Sequence, residues 1–451
     1  MQRDLCKGNI LQAMLLFALP MMAGNLLQQI YNIADTLIVG RCLGSDALAA
    51  VGSSYTLMTF LTSVVIGNCM GCGALFGIDF GAGHLGEMKK KIWMSFCYIM
   101  TVTALIVFLM FAGTDPILHL LQVPEEIYGM MRGYVRIIFA GILFVTLYNF
   151  FAYLLRATGN SAVPLYFLAF SSILNIVLDL WFVLGLHRGV VGTAEATVIA
   201  QAVSGIGIAG YTLLIDQKLR VERSHMCLNK KTLAEIIRYS CLTCLQQSVM
   251  NFGILMIQGL VNSFGTTIMA AFAAAVKIDT IAYMPAQEFG NACSMFISQN
   301  YGAGKNDRIR KGTRLAVRIS VLFCAASSLI VCGLARLLMQ IFVDGSKQEI
   351  LDAGVRYLRI EGAFYWGIGC LFLLYGLYRG IGRPGMSLVL TVISLGTRVA
   401  LAYLLAPNPA FGVTAIWWAI PAGWILADLA GYLYYVIRCR SSINESGNLS
   451  P

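Results

Sequence analysis

Charged residues are scarce in this sequence. Asp, Glu, Lys and Arg make up only 12% of its 451 residues, whereas soluble domains carry about 25%. Hydrophobic residues supply 58% and the mean hydropathy is +0.74, which excludes a soluble globular fold. Backbone polar groups in lipid must pair internally, which only helices and closed β-barrels achieve. The short alternating runs that are typical of membrane β-barrel strands are lacking here. The sequence therefore predicts an all-α, polytopic membrane protein.

The motifs of enzymes and metal sites are also missing. The turn Gly302-Ala303-Gly304-Lys305 lacks the spacing of a phosphate-binding loop, the four histidines show no metal-ligand spacing, and no Ser/His/Asp order stands out. The 13 cysteines are scattered, mostly through apolar segments, which excludes a secreted disulfide framework. We therefore expect neither an enzyme nor a cofactor. Because we find no ATPase module in the sequence, any transport would draw its energy from an ion gradient.

Long apolar runs are abundant, and about 20 apolar residues suffice to cross a bilayer. The first run is interrupted by Pro20, and no small-residue cleavage site follows the basic N-terminus promptly, so we interpret this run as a retained helix. The breaks between runs predict twelve spans, at about 11–40, 47–80, 90–113, 127–156, 161–186, 190–215, 233–263, 268–300, 312–342, 350–380, 385–406 and 411–437.

The basic residues are unevenly distributed between alternate loops. With the N-terminus in the cytoplasm, 22 of the 32 Lys and Arg fall in cytoplasmic segments and 8 in outer ones, while Lys277 and Arg398 fall within spans. The positive-inside rule therefore predicts that both termini are cytoplasmic. This distribution also accounts for the net charge of +10 without a nucleic-acid partner.

The two halves of the chain repeat each other. Gly81-Ala82-Gly83 matches Gly302-Ala303-Gly304, and Arg156-Ala157-Thr158-Gly159 matches Arg379-Gly380-Ile381-Gly382 at nearly the same offset. The longest polar break predicts an N-lobe at 1–215, a cytoplasmic linker at 216–232, a C-lobe at 233–437 and a cytoplasmic tail at 438–451. Six spans per lobe make the repeat parallel, about a pseudo-two-fold axis along the membrane normal. Two such bundles would leave a central cleft.

Polar residues within the first-half spans form a candidate cation site. Asn175 and Asp179 are four residues apart and so share one helix face. At about 1.5 Å per residue, Asp35, Asp179 and Thr197 lie at nearly the same depth. Their oxygens are suitable ligands for Na⁺. Alternatively, the two carboxyls could form a pair that takes up and releases a proton. Hydrogen bonds between helices are the alternative interpretation, above all for Asn175 and Thr197, whereas intramembrane carboxylates are too costly for that role.

These motifs resemble those of the multidrug and toxic compound extrusion (MATE) transporters. The similarity rests on Pro20, Asn32-Ile33-Ala34-Asp35, Asn175-Ile176-Val177-Leu178-Asp179 and Gln299-Asn300-Tyr301-Gly302-Ala303-Gly304, together with the repeated turns. It implies two six-helix lobes around a V-shaped cleft and export driven by Na⁺ or H⁺. The positions of the family's N-lobe cation site fall here on Asp35, Asn175, Asp179 and Thr197. Some branches of the family carry acidic residues in helices 7 and 10, and those positions fall here near Met250 and Ile368. These two side chains cannot bind a cation, so we do not expect coupling through the second lobe.

The second half carries its own intramembrane charges. Lys277 and Asp279 are two residues apart, so they do not face each other and need partners elsewhere. They are either structural or substrate contacts, and Arg398 is a candidate partner for Asp279 or Glu288. Polar and Met residues of both halves predict a substrate cleft formed by Gln28, Tyr31, Asn32, Gln246, Asn251, Lys277, Asp279 and Met284.

Together these features predict a monomeric, cation-coupled antiporter in the bacterial cytoplasmic membrane. It would export small organic compounds, cationic or amphipathic, by alternating access, with membrane lipid as its surroundings. A lipid-linked oligosaccharide flippase of the same broad superfamily is the alternative. The predicted spans contain only two basic residues, Lys277 and Arg398. Such a flippase would need more positive charge to form its cationic cleft. A receptor subunit or intramembrane enzyme has no supporting motif.

Overall fold

A computed structural model describes residues 4–121, 123–216 and 219–439. Within these ranges the chain is helical and contains no strand. Short π-helical turns at Trp181–Gly185 and Tyr435–Cys439 extend two of the helices, and Arg223–His225 forms a 3-10 turn. The α-helices in the described ranges are α1 Ile10–Cys42, α2 Ser45–Gly81, α3 Leu85–Ala112, α4 Thr114–Leu120, α5 Glu125–Ala157, α6 Ala162–Leu180, α7 Gly189–Leu214, α8 Lys230–Asn262, α9 Thr266–Gly302, α10 Asn306–Gln340, α11 Gln348–Gly362, α12 Tyr365–Gly380, α13 Pro384–Leu405 and α14 Val413–Tyr434.

Eleven of the helices in these ranges are long and apolar enough to cross a membrane. α11 and α12 form a further span that is bent by 51° at a short break, so the count reaches twelve, as the sequence predicts. Two details differ from the prediction. The tenth predicted span, 350–380, is broken in two, and the short helix α4 was not predicted.

Pro20 interrupts the apolar run in the sequence but not the first helix, which was predicted as one span at about 11–40. α1 runs without a break from Ile10 to Cys42. A proline inside a helix removes one backbone hydrogen bond, but membrane helices tolerate this because neighbouring groups satisfy the freed carbonyl. Pro285 in α9 and Pro421 in α14 lie inside helices in the same way.

The outward faces of the helices are apolar. On α10, Leu322, Leu329 and Leu337 are all exposed, and they follow one another at seven- or eight-residue spacing along one face. Such a stripe would promote aggregation in water. It fits a helix whose outer face contacts lipid, in keeping with a multi-pass membrane protein.

The described chain divides into two compact units. Unit 1 contains Leu19–Cys244 together with Asp4, and unit 2 contains Leu5–Ala18 and the chain from Leu245 onward. α1 and α8 therefore each contribute residues to both units, whereas the sequence assigned each helix to a single lobe. The predicted lobe boundaries, 1–215 and 233–437, stay a prediction.

Within unit 1, α5 packs against α2 and α7, and α6 packs against α7. Glycines allow the closest approaches. A Cβ atom on Gly71 of α2 would stand 2.6 Å from the carbonyl oxygen of Tyr239 in α8, and one on Gly67 would stand 2.5 Å from Cα of Cys244. Small residues that bring helix backbones together are typical of membrane helix packing.

α1 and α6 lie side by side in unit 1 and run in the same direction. A Cβ atom on Gly24 would contact Cδ2 of Leu168 at 3.4 Å. Eleven residues make just over three full turns at about 3.6 residues per turn. Asp35 and Asp179 stand eleven residues further along α1 and α6, respectively. The register of this pair of helices therefore brings the two carboxyls to one level.

Within unit 2, α9 packs against α12 and α13 packs against α14. Gly290 and Gly376 face each other where α9 and α12 approach, and a Cβ atom on Gly290 would stand 2.8 Å from the carbonyl oxygen of Phe372. Eleven residues earlier on each helix are Asp279 and Tyr365, and Tyr365 donates a hydrogen bond to Asp279. The register of α9 and α12 thus places Asp279 and Tyr365 at the same height along the two helices.

The N-terminal segment belongs to unit 2 because polar side chains hold its backbone. The guanidinium of Arg308 donates to the carbonyl oxygens of Lys7 and Gly8, each at 2.7 Å. Leu5 is fully buried, and its backbone N–H donates to Oε1 of Gln299 at 3.2 Å. These contacts fix the chain just before α1 begins.

Candidate functional site

α6 presents polar side chains to the interior of unit 1 and apolar ones outward. Asn175 and Asp179 are 2% and 0% exposed, whereas Ile173 and Val177 are 66% and 57% exposed. The spacing of four residues places the two polar side chains on one face. Directly beyond Asp179 the helix changes to the π-helical turn Trp181–Gly185, a local irregularity that is frequent at functional sites.

Asn175 connects α6 to α7. Its Nδ2 donates a hydrogen bond to Oγ1 of Thr197 at 3.3 Å. The other end of the amide, Oδ1, is buried and accepts no hydrogen bond from the part of the chain that the structure describes. Thr197 therefore occupies the donor end of the amide and leaves its acceptor end available.

The two carboxyls of the predicted site lie within electrostatic range of each other. Asp179 interacts with the charge of Asp35. Both carboxyl oxygens of Asp179, and Oδ1 of Asp35, are buried with no hydrogen-bond donor among the described residues. With Oδ1 of Asn175, these make four acceptor oxygens without a donor at the predicted site.

Four such oxygens are unusual because buried polar groups are nearly always paired. An isolated buried carboxylate is costly, and the cost falls when a cation or a proton neutralises it. Oxygen ligands of this type suit hard cations, and a close pair of carboxyls favours protonation of one member. The arrangement can therefore hold a cation or a proton.

Two tyrosines also face this pair. Tyr31 and Tyr134 each interact electrostatically with Asp35 and with Asp179. Tyr31 precedes Asp35 by one helical turn, so its position follows from the sequence. Tyr134 was not singled out, because it stands between two arginines near the start of a span; its burial is visible only in the fold.

The predicted substrate residues divide between the units. In unit 1, Gln28 is exposed, while Tyr31 and Asn32 are half-buried. The cleft that would join them to the second-half residues stays a prediction. In unit 2, the buried predicted residues are Gln246, Asp279 and Met284, Asn251 is half-buried and Lys277 is exposed.

Lys277 and Asp279 point into different surroundings. The ammonium of Lys277 lies 5.9 Å from the ring centroid of Phe342, a cation–π distance. Asp279 is 1% exposed and accepts a hydrogen bond from Tyr365. Each therefore has a partner away from the other, as the two-residue spacing requires.

Glu361 is a buried acid that the sequence analysis missed. It is 4% exposed, lies at the end of α11 and contacts Asp279. Arg398, proposed from sequence as a partner of Asp279 or Glu288, interacts with the charge of Glu361. Glu288 accepts a hydrogen bond from Nδ2 of Asn291 at 3.4 Å.

Membrane-spanning helices in two units, with buried carboxyls between helices, define the class of polytopic α-helical transport proteins. The MatE family model matches residues 20–181 and 241–404. This chain belongs to that family, whose members are transporters and not enzymes. The family expected from the motifs is confirmed.

Curated relatives cover nearly the whole chain. It is 29% identical to "Probable multidrug resistance protein YpnP" of Bacillus subtilis (strain 168), over 96% of this chain and 96% of that one. It is 25% identical to "Multidrug export protein MepA" of Staphylococcus haemolyticus (strain JCSC1435), over 98% and 96% of the two chains.

Solved structures show the same fold. "Crystal structure of MATE in the bent conformation" matches with a TM-score of 0.92 at 23% identity, over 98% of both chains. "Outward-facing conformation of a multidrug resistance MATE family transporter of the MOP superfamily" matches with a TM-score of 0.91, again at 23% identity and 98% coverage of both. The predicted fold class is therefore confirmed.

Proposed function

We propose that this protein is a cation-coupled antiporter that exports organic, cationic or amphipathic compounds across a bacterial cytoplasmic membrane. Relatives that it matches along their length are named for multidrug resistance and multidrug export, which supports the substrate class. Both termini lie in the cytoplasm in this proposal, as the distribution of Lys and Arg requires.

The observation that carries the proposal is the set of four buried acceptor oxygens on Asp35, Asn175 and Asp179 without a donor. A site of this kind takes up a cation or a proton from the outer solution and releases it to the cytoplasm. Binding shifts a conformational equilibrium only through different affinities in the two states. The site must therefore bind its ion more tightly in one access state than in the other.

Each residue has a distinct role in this scheme. Asp35 and Asp179 carry the charge that the ion neutralises. Asn175 supplies a neutral oxygen, and Thr197 holds the amide so that this oxygen stays available. Neutralisation of the two carboxyls removes the cost of their burial, which favours the state from which the exported compound leaves.

Efflux from proteoliposomes tests the proposal. A lipophilic cationic dye is loaded, and a Na⁺ gradient or a proton gradient is imposed separately. Asp35→Asn and Asp179→Asn are expected to abolish gradient-driven efflux while the protein stays folded. Asp46→Asn removes an exposed carboxyl at the start of α2 and serves as the matched control.

Two outcomes would overturn the proposal. Unchanged efflux by Asp35→Asn would remove the coupling role of this site. Rescue of a strain that lacks its lipid-linked oligosaccharide flippase, without dye efflux under either gradient, would favour the alternative function. The gradient that drives efflux identifies the coupling ion.

A further inference from the structure

We propose that Asp279 and Glu361 form a proton-binding site in unit 2, in which the two carboxyls hold one proton between them. The site is separate from the carboxyls of unit 1 and is built from α9 and α11. Its binding of a proton does not depend on the proposed function. Only its role in transport, as a second proton-dependent step, rests on that function.

The first argument is the contact between the two carboxyls. Asp279 and Glu361 are 1% and 4% exposed, and their side chains are close enough to interact directly. One oxygen of each, Oδ2 of Asp279 and Oε2 of Glu361, has no hydrogen-bond donor in the described part of the chain. Two ionised carboxylates repel at such a distance, whereas a shared proton turns the contact into a hydrogen bond.

The second argument is the charge of the surroundings. Arg398 of α13 interacts with Glu361 and supplies one positive charge. Two carboxylates and one guanidinium leave one uncompensated negative charge in a buried place, which is costly. A single proton balances the set. A metal cation is disfavoured because the guanidinium repels it.

Each helix that packs against the pair supplies a defined group. α9 contributes Asp279 and Tyr283, α10 contributes Cys332, and α14 contributes Trp417, whose ring lies 4.8 Å from that of Tyr357. Tyr357 contacts both carboxyls, and Tyr365 donates to Oδ1 of Asp279. The titratable and charged groups that face the pair are therefore Tyr283, Cys332, Tyr357, Tyr365 and Arg398.

The position of the pair links it to the bent span formed by α11 and α12. Glu361 is the penultimate residue of α11 and Tyr365 is the first residue of α12, so they stand on opposite sides of the 51° bend. Asp279 contacts both of them. Loss of the shared proton would therefore set two negative charges against each other at the bend.

Infrared spectroscopy of the purified, lipid-reconstituted protein tests the binding directly. A protonated carboxyl has a carbonyl stretch that an ionised carboxylate lacks. The wild-type protein is expected to show such a band from the pair at neutral pH. Asp279→Asn and Glu361→Gln are each expected to abolish it, because the remaining carboxylate is balanced by Arg398.

A variant that is expected to strengthen the band distinguishes loss of the proton from loss of the folded protein. Arg398→Gln removes the guanidinium that interacts with Glu361, so two protons are needed to neutralise the two carboxylates and the band is expected to grow about twofold. Tyr365→Phe keeps the ring but removes the donor to Asp279, and it is expected to shift the band without abolishing it. Asp352→Asn removes an exposed carboxyl of α11 and is the control.

Three results would overturn the proposal. They are a band with undiminished intensity in both Asp279→Asn and Glu361→Gln, a band that does not grow in Arg398→Gln, and a loss, on addition of Na⁺ at constant pH, of the part of the band that the first two variants abolish. In efflux assays, Glu361→Gln is expected to reduce the steepness with which the rate depends on proton concentration. If the wild-type protein transports no dye under any gradient, the proposed function fails while the infrared result still stands.

Discussion

Asn175 and Thr197 are joined by a hydrogen bond of 3.3 Å from Nδ2 of the amide to the threonine hydroxyl, across the contact between α6 and α7. The bond occupies the Nδ2 end of the Asn175 amide and so fixes the orientation of its Oδ1 end. It leaves Oδ1 of Asn175 with the acceptor oxygens of Asp35 and Asp179 that have no donor. In the cation-coupling site that we propose, Thr197 therefore acts on the ion through the orientation of Asn175, as a positioning residue.

Thr197→Val removes the hydroxyl and keeps the shape of the side chain. A lost hydrogen bond of this kind is worth about 1 kcal/mol, so the ion concentration for half-maximal efflux is expected to rise about fivefold. The maximal rate is expected to stay unchanged, because the carboxyls remain. Efflux measured against Na⁺ or proton concentration provides both quantities.

Thr197→Ser is the matched control because it keeps the hydroxyl. It is expected to behave like the wild-type protein. An equal loss in both variants would show that the methyl group, and hence packing between α6 and α7, determines the effect.

The sequence predicts well those features that follow from local spacing. The four-residue spacing places Asn175 and Asp179 on one face of α6, and both are buried. The apolar runs give twelve spans because each span needs a minimum length. These features depend only on helix geometry and on the lipid environment.

Features that depend on contacts between distant segments could not be predicted. Glu361 lies near the middle of the predicted span 350–380, which looks continuous in the sequence, although α11 ends at the next residue, Gly362. Its contact with Asp279 depends on how α9 packs against α11 and α12. The division of α1 and α8 between the two units is likewise a property of tertiary packing.

Gly71→Ala tests the close approach of α2 to α8. The added Cβ atom would stand 2.6 Å from the carbonyl oxygen of Tyr239, and a backbone atom cannot move aside as a side chain does. Overpacking of this kind costs about 1–3 kcal/mol, so the thermal midpoint in detergent is expected to fall.

Gly52→Ala in the same helix is the control. A Cβ atom on Gly52 would meet nothing within 4 Å. Alanine favours helix over glycine by up to about 1 kcal/mol, so this variant is expected to be equal or more stable. Equal behaviour of the two variants would contradict the backbone contact.

Lys91→Met tests an ion bridge that connects three helices of unit 1. Its Nζ lies 3.1 Å from Oδ2 of Asp79 and 3.1 Å from Oε2 of Glu235. The side chains of Lys91 and Asp79 are only 13% and 11% exposed. Removal of the ammonium leaves Asp79 poorly solvated, and we expect a loss of about 2 kcal/mol, below the value for a fully buried pair because Glu235 is exposed.

Lys90→Met is the neighbouring control. Lys90 pairs with Glu87 at 2.7 Å on a well-solvated surface, where ion pairs contribute little. The unfolding midpoint is expected to fall much less than in Lys91→Met. In a double-mutant cycle, adding Asp79→Asn to Lys91→Met should restore part of the lost stability.

Asp115 of α4 provides a prediction with a defined pH dependence. Its carboxyl accepts hydrogen bonds from Arg132, at 2.5 Å and 2.9 Å, and from the hydroxyl of Tyr128 at 2.9 Å. The bonds to Arg132, then that to Tyr128, lower the pKa of Asp115 to about 2, below the value of about 3.9 in an unfolded chain. A lowered pKa means that the folded state binds fewer protons than the unfolded state. The stabilisation is therefore present at neutral pH and is lost as the pH falls from about 4 towards 2.

Asp115→Asn removes the charge from this exposed cluster. The thermal midpoint of the variant is expected to lie below that of the wild-type protein at pH 7, and the difference should shrink as the pH falls towards 2. Asp352→Asn, whose carboxyl lies 3.4 Å from Arg336 on an exposed surface, is expected to produce a smaller difference at pH 7. Thermal unfolding in detergent across this pH range measures both variants. A difference for Asp115→Asn that stays constant down to pH 2 would show that its origin is not the ionised carboxyl.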